Sequence, residues 1–197
     1  MKTYVKEDFQ GFEDVFRRNF FNTLSGPKPC WLMGTLHPDG LPNFGLFSNV
    51  IHVGANPPAL AILFRPLTAV RHSWDNLHRE SQCALSLVNR SMLGGAHQLS
   101  APWEADVDEA KVSGLAVETW RNAAVIQSSP VQLLCKPVEN LVLQWNQTQL
   151  QVLAIEEVRV QEGLVAADGL VDMVAADAIA SLGLDAYLQV MPAARFR

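Results

Sequence analysis

Between Phe64 and Leu77 the sequence reads FRPLTAVRHSWDNL, which crowds Arg65, Arg71, His72 and Ser73 where an apolar run ends and a helical pattern begins. A helix start offers unpaired backbone N–H groups and about half a positive charge, so it seats anions. A guanidinium adds a two-pronged grip on phosphate, and a serine hydroxyl adds a further donor. The chemistry assembled here is recognition of a small anion. The plain alternative is that Ser73 only caps the helix while the arginines are solvated surface charges.

Two further polar sets accompany this corner. Ser48 and Asn49 end the run GLFSNV, and His97, Gln98 and Ser100 sit in AHQLS at the head of a long acidic segment. Read alone, the first is a strand end turned to water and the second a solvated loop. Asp106, Asp108 and Glu109 form a carboxylate group, read as a solvated acidic face with nothing nearby to shift its titration. Cys30, Cys83 and Cys135 are odd in number, scattered and without C-x-x-C spacing. That argues against a metal or disulfide framework, and buried thiols are expected at Cys83 and Cys135.

The whole chain bounds these options. At 197 residues and 49% hydrophobic it is long enough for one globular domain with a sizeable core. A net charge of -5 opposes nucleic acid as the main partner, because phosphate-backbone binding needs a basic face. Any positive site must then be local. The N-terminus MKTYVKEDFQ lacks an apolar signal core and no run reaches membrane-spanning length, so a cytoplasmic protein with no membrane partner is expected.

The elements that must position the polar sets follow from periodicity. Phe9, Phe12, Phe16 and Phe20 recur at three and four residues, which predicts one N-terminal helix docked on the core and stopped by SGPKP. CWLMGTLHPDGLPNFGLFSNVIHV predicts strands about an HPDG turn, and ALAILFR a buried strand after GANPP. HSWDNLHRES predicts a short helix with Ser73 as N-cap, Asp75 in its first turn and Leu77 inward. QCALSLVN is another strand, and the segment from Arg90 to about Glu118 is loop and short helix. About three more strands follow before Val160, with SSP and NQTQ as turns, and Trp145 is placed in a strand filling the barrel. Trp74 is read as core. GLVDMVAADAIASLGLDAYLQV predicts a C-terminal helix stopped at Gly183. The sum is a mainly β fold, an antiparallel Greek-key-type barrel decorated by helices at both ends.

GTLHPDGLPNFGLFSNVIHVGANPPALAILFRP, RHSWDNL and AHQLSAPWEADVDEAKVSGL, in that order, resemble the flavin reductase-like, FMN-binding split-barrel family. The likeness runs from about Trp31 to about Val160 within a single domain spanning 1–197. It implies FMN at a homodimer interface, with Phe47, Ser48, Asn49 and Val50 beside the ring. It implies Arg65, Arg71, His72 and Ser73 on the phosphate and ribityl chain, and His97, Gln98 and Ser100 closing over the flavin. Phe47 and Trp103 are the apolar walls for the ring or a nicotinamide. The implied activity is an NAD(P)H:flavin oxidoreductase using NADH or NADPH, able to serve a partner oxygenase, with no catalytic side chain because the flavin carries the chemistry. Relatives often have Thr where this chain has Ser73, and an aromatic where it has Ala110. No His follows His97, so a late nicotinamide-facing His is not carried over. A non-catalytic FMN carrier or sensor therefore stands as the alternative, with a flavin-free dimeric scaffold behind it.

Overall fold

The computed structural model describes residues 1–195. Two short helices, α1 (Lys6–Gln10) and α2 (Asp14–Thr23), precede strands β1 (Lys28–Pro29), β2 (Trp31–Leu36), β3 (Pro42–Phe47), β4 (Val50–Ala55) and β5 (Pro58–Phe64). Helix α3 (His72–Glu80) leads to β6 (Cys83–Leu87), a 3-10 turn at Arg90–Met92, α4 (Leu93–Gln98) and α5 (Glu109–Ser113). Strands β7 (Val117–Trp120), β8 (Ala123–Ile126), β9 (Val131–Leu143), β10 (Thr148–Val160), β11 (Ile179–Leu182) and β12 (Ala186–Gln189) complete the order.

Seven strands form one antiparallel sheet in the order β3-β2-β6-β9-β10-β5-β4, which curls about the main core. The expected barrel is present, and its strands fall where the alternating and continuous apolar runs put them. Trp31 to Thr35 are all buried because β2 serves two cores. Trp31 and Met33 join Ile62, Leu85 and Leu153 on one side, and Leu32 joins Met92, Leu99 and Ile126 on the other. A strand covered on both faces reads as an unbroken hydrophobic run, which is what CWLM displays. Gly34 permits the tightest crossing: an added Cβ would lie 1.9 Å from the Ala124 carbonyl oxygen. The HPDG turn closes with His37 N–H donating to the Leu41 carbonyl and Leu41 N–H to the Asp39 carboxylate.

All three cysteines are buried and unpaired, and burial pushes the thiols of Cys30 and Cys135 up to about 12. No helix among the described residues is long and apolar enough to cross a membrane.

Three expectations are overturned. The N-terminal phenylalanine stripe is split at Gly11 into two helices, and neither buries a residue. Its rings pack on one another, Phe12 against Phe16 at 4.7 Å and Phe9 against Phe21 at 5.0 Å, instead of on the barrel. The predicted C-terminal helix is turn and hairpin. The Asp172 carboxylate accepts the amides of Val174 and Ala175, Asp177 takes φ 49°, and β11 then pairs with β1 and β12. Ile179 and Ser181 alternate inward there, a period-two burial that outweighs alanine's helix preference, and Gly183 (φ 72°) turns the hairpin. Trp145 lies in the β9–β10 turn and is 96% exposed, so it fills no barrel.

Candidate functional site

The corner expected to seat an anion is built on the first turn of α3 where it crosses β3. Helix α3 has Arg71 at its N-cap, and the Arg71 carbonyl accepts the amides of Trp74 and Asp75. The amides of His72 and Ser73 lie in the first turn, where no intrahelical acceptor exists. Ser73 is one residue inside the helix and no side chain caps it, so the expected N-cap role is not what this serine does. Its hydroxyl accepts instead from Asn43 Nδ2 at 3.0 Å, tying the helix start to β3.

Beneath this contact lies a buried polar layer. Asn43 Nδ2 also donates to Thr35 Oγ1 at 2.9 Å, and Asn76 Nδ2 reaches the same oxygen at 3.3 Å. Arg79 Nη1 donates to Asn76 Oδ1 at 2.9 Å and its Nη2 to the Leu36 carbonyl. The His37 ring sits edge-on to His72 at 5.1 Å, and burial, then the neighbouring His72, lower its pKa. Thr35, Asn43 and Asn76 are all 3% exposed or less, so each lost partner would leave an unpaired buried group. This layer fixes α3 against the sheet and holds the first-turn amides at the surface.

Two features set the corner apart. The Arg71 Nε is buried and has no hydrogen-bond partner among the described residues, unusual for so strong a donor. Gly45, on β3 facing the same helix start, lets Phe47 and Ser73 close in on the strand: an added Cβ would lie 2.8 Å from the Phe47 ring and 3.1 Å from Ser73 Oγ. Phe47 packs edge-on to Phe64 at 4.9 Å, and Phe64 to Trp74 at 5.1 Å, giving the corner an apolar side. Trp74 packs against the main core, as expected.

The other named residues are disposed unevenly. Phe47 and Ser48 lead from β3 into the crossing, Val50 is buried at the head of β4, and the exposed Asn49 gives its carbonyl to the Leu63 amide. Arg65 is exposed just past β5. His97, Gln98 and Ser100 are exposed on α4 and its end, and their recorded partners lie away from the corner. His97 Nδ1 pairs with Tyr187 Oη at 2.8 Å, Ser100 Oγ donates to the His97 carbonyl, and the Gln98 carbonyl accepts from Trp103 Nε1 at 3.0 Å.

The reading of Asp106, Asp108 and Glu109 as a solvated face fails at Glu109. Its side chain is buried and accepts the outward amide of Phe44 on β3, while burial raises its pKa to about 7. The signal was present in the sequence: Asp108 caps the Lys111 amide, which places Glu109 at the first position of α5, on the side facing β3. The buried Asn43 and the closely packed Gly45 were likewise not singled out as site residues.

A curled seven-stranded antiparallel sheet with a helix start at its mouth defines a split-barrel protein. The chain belongs to the flavin reductase-like family: the family described as "Flavin reductase like domain" matches residues 24–174. A Shewanella frigidimarina protein assigned as a flavin reductase with a split-barrel domain superposes with a TM-score of 0.94 and 33% identity, over 100% of this chain and 99% of that one. Nitrilotriacetate monooxygenase component B from Bacillus cereus shares the fold at TM-score 0.85 and 14% identity, covering 100% and 98%. An FMN-binding protein from Thermus thermophilus does so at TM-score 0.73 and 16% identity, covering 96% of each chain. Among curated proteins no sequence match was found.

Proposed function

We propose that this single-domain chain binds FMN at the corner of β3, β4 and α3 and acts as an NAD(P)H:flavin oxidoreductase. The observation that carries the reading is the buried, unpartnered Arg71 Nε at the head of a helix whose first amides are free. Arg71, with Arg65, His72 and Ser73, would hold the phosphate and ribityl chain, where charge-assisted bonds are strongest. Phe47, Ser48, Asn49 and Val50 would border the ring. His97, Gln98 and Ser100 would close over it only after α4 and its following loop shift, because their present partners are local. When bound, the flavin supplies the hydride and electron transfer, and the protein orients it and excludes side reactions.

The same reading pairs two copies of the chain about the pocket, and allows the reduced flavin to serve a partner oxygenase, as the monooxygenase-component neighbour suggests. Anaerobic stopped-flow mixing of the FMN-loaded protein with NADH and with NADPH tests it. Bleaching of the flavin by at least one nicotinamide is expected, and none with either would refute the reductase. The second reading, a flavin carrier or sensor without turnover, draws on Ala110 in α5 and on the outward pairing of His97 with Tyr187. It would be favoured by a yellow protein reduced by dithionite and by neither nicotinamide.

A further inference from the structure

Beside the corner lies a buried titratable side chain that the flavin reading leaves unused. His37 opens the HPDG turn and is 8% exposed. Its backbone is clasped twice, the amide donating to the Leu41 carbonyl at 2.8 Å and the carbonyl accepting from the Gly40 amide at 2.9 Å. The ring so held faces Asn76 and His72 of α3. Its Nδ1 lies 3.5 Å from Asn76 Nδ2, a long contact whose polarity counts for more than its strength. Arg79 fixes that polarity. A guanidinium only donates, and Arg79 Nη1 donates to Asn76 Oδ1 at 2.9 Å. The amide must then turn its Nδ2 toward Thr35 Oγ1 and His37. An N–H facing Nδ1 requires Nδ1 to accept, which leaves the ring neutral with its proton on Nε2.

We infer that His37 is a positioning residue for the anion corner: its neutral ring, accepting from Asn76, braces His72 and the first turn of α3, and a proton on Nδ1 undoes the brace. This rests on the flavin phosphate site proposed above and gives that site a pH dependence. The His72 ring stands edge-on to His37 at 5.1 Å and 73°, directly after Arg71 at the N-cap. A protonated His37 would set N–H against N–H at Asn76. Relief would require Asn76 to give up Arg79 or Thr35, or the ring to leave the side of His72, and each displaces the start of α3. The titratable and charged groups facing the ring are His72 and Arg79 from α3 and Asp39 from its own turn. Burial disfavours the proton most, then His72, and the opposing pull of Asp39 leaves the pKa below its ordinary 6.5. The brace is therefore intact at neutral pH and fails as pH falls below the usual histidine range. Plain attraction between a charged His37 and a phosphate would act in the opposite direction, so the sign of the effect separates bracing from charge.

The test is the titration of His37 in the full wild-type chain, followed through the proton–nitrogen NMR couplings of its imidazole. Without ligand, the ring should be the Nε2–H tautomer at neutral pH. Saturation with FMN should move its titration to lower pH, because proton and anion then oppose each other through one brace. His37→Asn offers an oxygen in place of Nδ1 and does not titrate. Between about pH 7.5 and about pH 5, the FMN dissociation constant should rise about fivefold more in the wild type than in this variant, the ligand's own protonation being common to both. An Nδ1–H tautomer, a His37 titration that FMN raises or leaves unmoved, or matching pH profiles in the two proteins would each overturn the inference. Should His37→Asn not fold, the two wild-type titrations decide alone. A wild type that binds no FMN at neutral pH would refute the cofactor reading and this inference together, whereas bound FMN with an unmoved His37 would refute this one only.

Discussion

The corner at α3 and the cover formed by α4 and α5 flank the same strand, β3, and are held to it in opposite ways. At the corner, Asn43, Thr35, Asn76 and Arg79 interlock three elements through neutral and charged donors, nearly all with partners. The cover reaches β3 through one buried carboxylate, Glu109, on the Phe44 amide, and through Ala96 and Leu99 packed in one core cluster with the Phe44 ring. A network that shares its partners resists loss of register, whereas a single bond to a titrating group can be made or released. The comparison teaches that the corner is held by shared polar partners, whereas the cover is held by apolar packing with one titrating hydrogen bond.

The sharpest way to break the comparison is at Glu109. Folding carries its pKa from the ordinary 4.5 to about 7, so the folded chain holds a proton that the unfolded chain has released between those values. Stability should therefore fall as pH rises from about 4.5 to 7, by roughly 3 kcal/mol from this group. Glu109→Gln should remove that slope and be the more stable protein at pH 8, as urea unfolding across pH would register. Identical slopes in the two proteins would mean that Glu109 is not the group that titrates between those values.

Arg71→Ala comes next. It should weaken FMN binding by about 1.5–3 kcal/mol in a fluorescence titration while leaving unfolding stability nearly unchanged. Unaltered affinity would take Arg71 out of the phosphate role. Asn43→Ala is the complementary change, expected to cost about 1–3 kcal/mol in stability, since it strands the Thr35 and Ser73 hydroxyls. A loss confined to flavin affinity would show the layer is less rigid than the corner requires. Smallest in global effect is Gly95→Ala, whose Cβ would meet the Ser113 carbonyl oxygen at 2.6 Å. It should pry α4 from α5 and speed proteolysis around Pro102–Asp106, with little change in midpoint temperature. Protection at that segment would place the weak point elsewhere.

Much of this was legible in the chain because strands wear their burial openly. CWLM, ALAILF and QCALSLV announce two-sided strands, and HPDG its turn, so the barrel and the place of α3 follow from pattern. What escaped depends on partners distant in sequence. The Asn43 link to Ser73 spans thirty residues and the Glu109 link to Phe44 spans sixty-five, and no local signal states either. The phenylalanine stripe was correctly helical in character, but periodicity names an apolar face without naming what covers it. At the C-terminus, alanines favoured a helix while Ile179 and Ser181 had a sheet to join at β1. Tertiary pairing overrode propensity there.

Inaccessibility of the sulfur atoms has a practical corollary. With Cys30, Cys83 and Cys135 sealed inside and their protons hard to remove, alkylating dyes find no native target on the folded surface. One cysteine engineered on α5 and another on β3 would take a donor and an acceptor fluorophore cleanly. The separation of α5 from β3 could then be followed as Glu109 titrates.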